Sequence, residues 1–305
     1  MKGRGFLLLM LWLGAAVCQA GPSVMDSTGR QVSLEKPAQR IVGLAPHIVE
    51  NLFSAGAGEK VVGTVSYSDY PSAASKIQQV GSAYAWSLES VVALNPDLVV
   101  LWGSGNGMTA LPQLQRLGLE VYVSEPRALG DIANSIRDLG VLAGTESVAD
   151  ANVRKFEKVI AQLRARYSQQ QSLSVFYQIW NSPLQTVNGE HMISHIIELC
   201  GGRNIFASEQ QLAPRISLES VLQADPQAIV ASGMGESRPE WLDEWLRYSS
   251  LQAVAGDALI HVHPDIIQRP TLRIAGGAAD LCRQLEAVRV QLSGADAGPA
   301  DPLPQ

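Results

Sequence analysis

Four of the five histidines fall in pairs whose spacing could hold a metal. His191 and His195 lie four apart on a segment with a helical pattern, and His261 and His263 alternate on an apolar run, so either pair offers zinc two imidazoles. Neither pair has a carboxylate or cysteine placed to complete a site, and the His-rich loop of exported metal carriers is missing. No bound metal is expected. Signals of catalysis are absent as well. Gly103-Ser104-Gly105-Asn106-Gly107 lacks the spacing of a dinucleotide or phosphate loop, and there is no nucleophile elbow or Cys-x-x-Cys. The chain reads as a non-enzyme without a cofactor.

Binding chemistry is better represented. Ser66-Tyr67-Ser68-Asp69-Tyr70-Pro71 follows the apolar run Val61 to Thr64, and Trp102 follows Leu98 to Leu101. Trp180 follows Ser174 to Ile179, and Asp265 to Arg269 follow Leu259 to Val262. If these runs are strands of an open α/β sheet, all four segments stand at strand C-terminal ends, where such sheets bind ligands. Aromatic rings with a few polar groups suit a large, flat, amphipathic ligand. Any one of Tyr67, Trp102 and Trp180 could equally be packing at the base of its loop.

Two carboxylates form a matched pair. Ser87-Leu88-Glu89-Ser90-Val91 recurs as Ser217-Leu218-Glu219-Ser220-Val221, and residues 87–100 and 217–230 agree at seven of fourteen positions. In both copies Ser is placed to cap a helix that ends before a proline turn, and an apolar run follows. Glu89 and Glu219 then lie in the first turn, where the helix dipole favours a carboxylate. The alternative of equal weight is that one exposed glutamate per lobe docks on a symmetric partner bearing basic residues.

The elements that must position these groups alternate. Runs at Arg40 to Leu44, Val61 to Thr64, Leu98 to Leu101 and Val121 to Val123 are separated by amphipathic stretches, as are those at Ser174 to Ile179, Ala228 to Ala231 and Leu259 to Val262. Between the two sets, Gly144 to Gln171 has Val148, Val153, Phe156, Val159, Ile160 and Leu163 at helical spacing, and a final helix runs from Leu272 to Leu292. The expected architecture is α/β: two similar lobes joined by one long helix, with a ligand cleft between them. The boundaries are a leader at 1–20, an N-terminal lobe at 21–143, the connecting helix at 144–171, a C-terminal lobe at 172–293 and a disordered tail at 294–305.

Composition agrees with a folded chain, 46% hydrophobic and 17% charged over 305 residues. A net charge of -6 with no basic run argues against nucleic acid as a partner. Lys2 and Arg4, an apolar run from Phe6 to Val17 and Ala20 before Gly21 make a secretory signal pattern too short to span a bilayer. A cleaved signal and a soluble exported protein follow. A lipid anchor at Cys18 is the rival, although Ala15-Ala16-Val17 matches such sites poorly. Without Cys18 the chain keeps Cys200 and Cys282, which export favours as a disulfide over two buried thiols.

The residues resemble a known family. Val62 to Pro71, Ser87-Leu88-Glu89 with Leu94 to Val100, Cys200-Gly201-Gly202-Arg203-Asn204-Ile205-Phe206, and Asp265 with Arg269 are similar to the periplasmic cobalamin-binding proteins of ABC importers. The resemblance runs from about Arg40 to Val290, and Ser-Tyr-Ser-Asp-Tyr-Pro is its most specific part. It implies two lobes on a rigid helix that move little, and a monomer. Cobalamin or a related corrinoid would be the transported ligand, held by Tyr67, Trp102, Asp265 and Arg269, with Pro46 on an early loop. Glu89 and Glu219 would dock on arginines of the inner-membrane permease, and Cys200 and Cys282 would be bridged. The sequence departs from the family at Ala83, Ala213 and Ile179, where aromatics are common; Tyr84, Trp86 and Trp180 are close enough to substitute. Two rivals remain. Haem or a ferric siderophore could occupy the same cleft, with Tyr67, Tyr84 or His47 as an axial group, and an exported enzyme acting on a corrinoid would need a reactive group that the sequence does not show.

Overall fold

The computed structural model describes residues 21–294 apart from Met234 and Glu236, so the leader, Cys18 and the tail beyond Gly294 lie outside the described residues. Short apolar runs become strands: β1 (Ser23–Met25), β2 (Gln31–Ser33), β3 (Ile41–Gly43), β4 (Val61–Gly63), β5 (Leu98–Trp102), β6 (Val121–Ser124), β7 (Leu173–Gln178), β8 (Gly202–Asn204), β9 (Ala228–Ala231) and β10 (Leu259–His261). β1 and β2 form an antiparallel hairpin. The rest form two four-stranded parallel sheets, β4-β3-β5-β6 and β8-β7-β9-β10. The two orders are the same topology written twice, and the repeated Ser-Leu-Glu-Ser-Val segment precedes the equivalent strands β5 and β9. β3, β6 and β9 are buried along their whole length. Helices cover both faces of such sheets, which is why these runs do not alternate with polar residues.

One long helix, Glu146–Tyr167, passes between the sheets. It buries Ala149, Val153, Phe156, Ile160, Leu163 and Tyr167, a stripe at spacings of three and four. It is shorter at both ends than the stretch from Gly144 to Gln171. Gly144 adopts φ 67° and closes the preceding helix Leu129–Ala143, while Ser168 follows the last turn. The two helices pack closely, and a Cβ on Gly140 would fall 2.5 Å from that of Ala149. Among the described residues no helix is long and apolar enough to cross a membrane. The β1–β2 hairpin and the 3-10 turns over Glu240–Arg247 escape the sequence reading, because three-residue strands and a 3-10 stretch carry too little periodicity.

Cys200 ends the helix Met192–Leu199 and is bonded to Cys282 of the terminal helix Ile274–Ser293. The bond ties two helices of the C-terminal lobe across a sequence separation of 82. Replacing both cysteines by alanine is expected to lower unfolding free energy by up to about 4 kcal/mol through restored loop entropy; denaturant titration of the variant checks this.

The helix Pro46–Ser54 buries His47 at 5% exposure, and its Nε2 has no hydrogen-bond partner. Burial, with the Arg269 charge nearby, lowers its pKa to about 3. His191 is lowered to about 4 by burial and by His195. A histidine with a folded pKa below its unfolded value binds fewer protons when folded, so its contribution to stability is present above pH 6.5 and lost as pH falls towards the folded pKa. For His47 the loss at pH 5 is about 2 kcal/mol. Thermal melts at pH 7.5 and pH 5 should show a destabilisation that His47→Gln reduces; an identical acid response in the variant contradicts this.

Candidate functional site

The C-terminal ends of the parallel strands bring together loops that are far apart in sequence. After β4 the chain turns at Ser66–Pro71, with Ser66 N–H donating to Gly81 O at 2.8 Å and Ser68 N–H to Val65 O at 3.2 Å. In that turn Tyr67 has φ 66°, a conformation that costs a bulky residue on the order of 1–3 kcal/mol. Its ring is not buried in recompense, for Tyr67 is 77% exposed. An aromatic side chain held out to solvent on a strained backbone is arranged to meet something else.

Trp102 ends β5 half-buried, with the edge of the His47 ring 5.1 Å away between centroids. The ring of Tyr84, itself 80% exposed, lies 6.3 Å from Trp102. Gly105 permits this placement, since a Cβ there would come within 1.9 Å of the indole. Asn106 fixes it. Its Oδ1 accepts from Trp102 N–H at 2.6 Å, and its Nδ2 donates to Leu44 O at 2.8 Å and Ala83 O at 2.6 Å. One amide therefore joins the loops that carry Pro46, Tyr84 and Trp102. The sequence analysis passed over Asn106, because its bonds go to backbone groups 62 and 23 residues away.

The opposite wall comes from the second lobe. Asp265 lies in the short helix Pro264–Ile267 and pairs with Arg269 at 3.0 Å; the same guanidinium reaches Asp69 of the first lobe, also at 3.0 Å. Between the lobes is a cavity of about 140 Å³ whose lining includes Trp102, Ser104 and Glu125 from one side and His191, Met192 and Gln268 from the other. A separate hollow of about 190 Å³ lined by Trp241, Trp245 and Tyr248 belongs to the second lobe alone.

The remaining candidates are placed differently. Pro46 is half-buried at the first turn of its helix. Trp86 is half-buried and packs on the hydrophobic core, its backbone bridged to Gly81. Trp180 is 41% exposed, but its indole N–H donates to Ser182 O at 2.9 Å and its backbone is bridged to Gln185. Of the eight ligand-binding candidates read from the sequence only Trp102 lines the cross-lobe cavity; Pro46, Tyr67, Tyr84, Trp86, Trp180, Asp265 and Arg269 do not. The histidine pairs find other work: His191 Nδ1 accepts from Ile193 N–H at 3.1 Å and His263 Nδ1 from Asp265 N–H at 3.2 Å, so each caps a helix. Among the described residues no cluster of metal-ligating side chains occurs.

Glu89 and Glu219 are both exposed and occupy equivalent sites. Ser87 Oγ accepts from Ser90 N–H at 3.1 Å, and Ser217 Oγ accepts from Ser220 N–H at 3.1 Å. The backbone N–H of Glu89 and the Ser87 hydroxyl hold the Glu89 carboxyl below its usual range, so it carries full charge at neutral pH.

A family model described as periplasmic binding protein matches residues 41–266. The vitamin B12-binding protein of Vibrio parahaemolyticus is 31% identical over 254 residues, covering 83% of this chain and 92% of that protein. The crystal structure of the periplasmic vitamin B12 binding protein BtuF of Vibrio cholerae superposes with a TM-score of 0.76 at 32% identity, over 83% of this chain and 98% of that one. The periplasmic heme-binding protein RhuT of Roseiflexus, at 22% identity and a TM-score of 0.72 over 82% of this chain and 99% of that one, shares the fold. Two repeated parallel sheets on one long helix, with the cleft between them, are therefore a known arrangement, and the chain belongs to the periplasmic binding protein family.

Proposed function

We propose that the protein captures cobalamin or a related corrinoid in the periplasm and delivers it to an ABC permease, with no chemistry of its own. The observation that carries this reading is the set of aromatic rings held out to solvent at the cleft: Tyr67 on a strained turn, and Tyr84 beside Trp102. A corrin ring is far larger than the cavity, so it stands across the cleft mouth with its faces against these rings. Burial of its apolar surface supplies roughly 25 cal/mol per Å² before association costs are subtracted. Asp265 and Arg269 face the polar side chains at the ring's edge, with Pro46 at the start of the helix that carries His47 as a further contact. Trp86 and Trp180 have secondary places, since one is committed to the core and the other is tied to its own loop. The protein acts as a monomer.

Haem or a ferric siderophore is the second reading. Of its candidate axial groups, His47 has its Nε2 sealed beneath the surface beside Trp102, whereas Tyr67 and Tyr84 are exposed. At 22% identity the haem-binding relative speaks for the fold and not for the ligand.

Glu89 and Glu219 form the second half of the proposal. Both are exposed, capped identically and borne by equivalent helices, which suits one basic group on each half of a two-fold permease.

Trp102→Ala and Tyr67→Ala should each weaken cyanocobalamin binding at least tenfold by titration calorimetry, and an unchanged affinity would contradict the assignment. Reversal of both glutamates, Glu89→Lys with Glu219→Lys, should abolish stimulation of permease ATPase activity while leaving ligand affinity within twofold. Normal uptake by the double variant would count against the docking role.

A further inference from the structure

The segment that carries Asp265 and Arg269 does not stand on its own lobe alone. Four residues further on, Arg273 crosses to the first lobe and grips Glu50 of the helix Pro46–Ser54 with both ends of its fork, Nε to Oε1 at 2.8 Å and Nη2 to Oε2 at 2.7 Å. The guanidinium also lies over the Tyr70 ring, 4.0 Å from its centroid. Next to Glu50, Asn51 Nδ2 donates to Pro270 O at 3.0 Å. The first-lobe partners are therefore a helix flanking the cleft floor and the turn that bears Tyr67 and Asp69.

Glu50 is only 2% exposed. A carboxylate so far removed from water is a poor source of stability, because desolvating the two charges offsets most of their attraction, and well-packed apolar residues commonly serve as well. What an apolar pair cannot do is set direction. The fork fixes Arg273 in position and angle relative to Glu50, and the chain between Asp265 and Arg273 inherits that register.

We propose that Glu50 and Arg273, with Tyr70 as a shelf, are positioning residues that hold the Asp265–Arg269 segment of one lobe in register with the Tyr67 turn of the other, so that the two walls of the cleft are preset for ligand. The ligand half of this statement rests on the binding reading above; the positional half does not. A preset site avoids the cost of ordering loops on binding, so loss of register appears as lost affinity even in a fully folded protein.

The test is the paired replacement Glu50→Met with Arg273→Met in the whole protein. The expected result is a melting temperature within a few degrees of the parent, amide hydrogen exchange in the ligand-free protein accelerated over residues 264–273 and 66–71 but not in the sheets, and cyanocobalamin affinity reduced about tenfold. Arg273→Lys keeps the charge and loses the fork. It is expected to show the same local exchange at smaller amplitude, and it decides the matter should the paired variant fail to fold. Unchanged exchange in these two segments overturns the positioning role, as does parental affinity in a variant whose exchange has changed. A parent protein that does not bind cyanocobalamin overturns the proposed function instead, and the exchange measurement then decides the positioning role by itself.

Discussion

A carboxylate that leaves water when two lobes meet must find a partner, and Glu50 of the first lobe finds Arg273 of the second. Beside it the Asn51 Nδ2 donates to the Pro270 carbonyl, though its buried Oδ1 has no partner, and the exposed Asp69 meets Arg269. An unpaired carboxylate at the burial of Glu50 would be untenable, so the contact is made whole or the lobes part. The long helix is tied to the same part of the first lobe: its Asn152 side chain donates to Ser54 O at 2.9 Å, and the Thr145 hydroxyl before it to Ala55 O at 2.6 Å.

The same constraint separates rigidity from recognition. Around the cleft the hydrogen-bonding capacity of the loops is largely used internally, as by Asn106 on Trp102, Leu44 and Ala83, while the aromatic faces are left open. This suits a ligand that offers broad faces and few obligatory polar contacts. The three positions at which the resemblance led an aromatic to be expected divide in kind. Ala83 is nearly buried and Ile179 packs on the core, so a ring there would need repacking, whereas Ala213 is exposed and leaves its neighbourhood open.

The duplicated architecture also explains why two surface glutamates can be equivalent without being near each other. Each stands in the first turn after a serine cap, before the strand that occupies the third place in its sheet. The electrostatic and the docking accounts of these residues are compatible: a carboxylate is favoured in the first turn of a helix, and an exposed carboxylate is what a basic partner requires.

By itself the sequence determined whatever depends on local pattern. The apolar runs, the interior of the long helix, the twofold repeat with its serine caps, and the cysteines left for pairing were all legible, because periodicity and capping act within a few residues. Short elements were not legible: the β1–β2 hairpin is too brief to alternate, and Gly144 looks like part of the long helix until its φ of 67° shows it ending the one before. Tertiary structure alone decided which aromatics face the cleft, turning Tyr67 and Tyr84 outward while Trp86 packs inward. It alone made His191 and His263 into helix caps and joined Glu50 to Arg273 across 223 residues. Those outcomes depend on side chains meeting after the sheets have formed, and the spacing of residues along a chain carries no record of which distant loops a fold will bring within 3 Å.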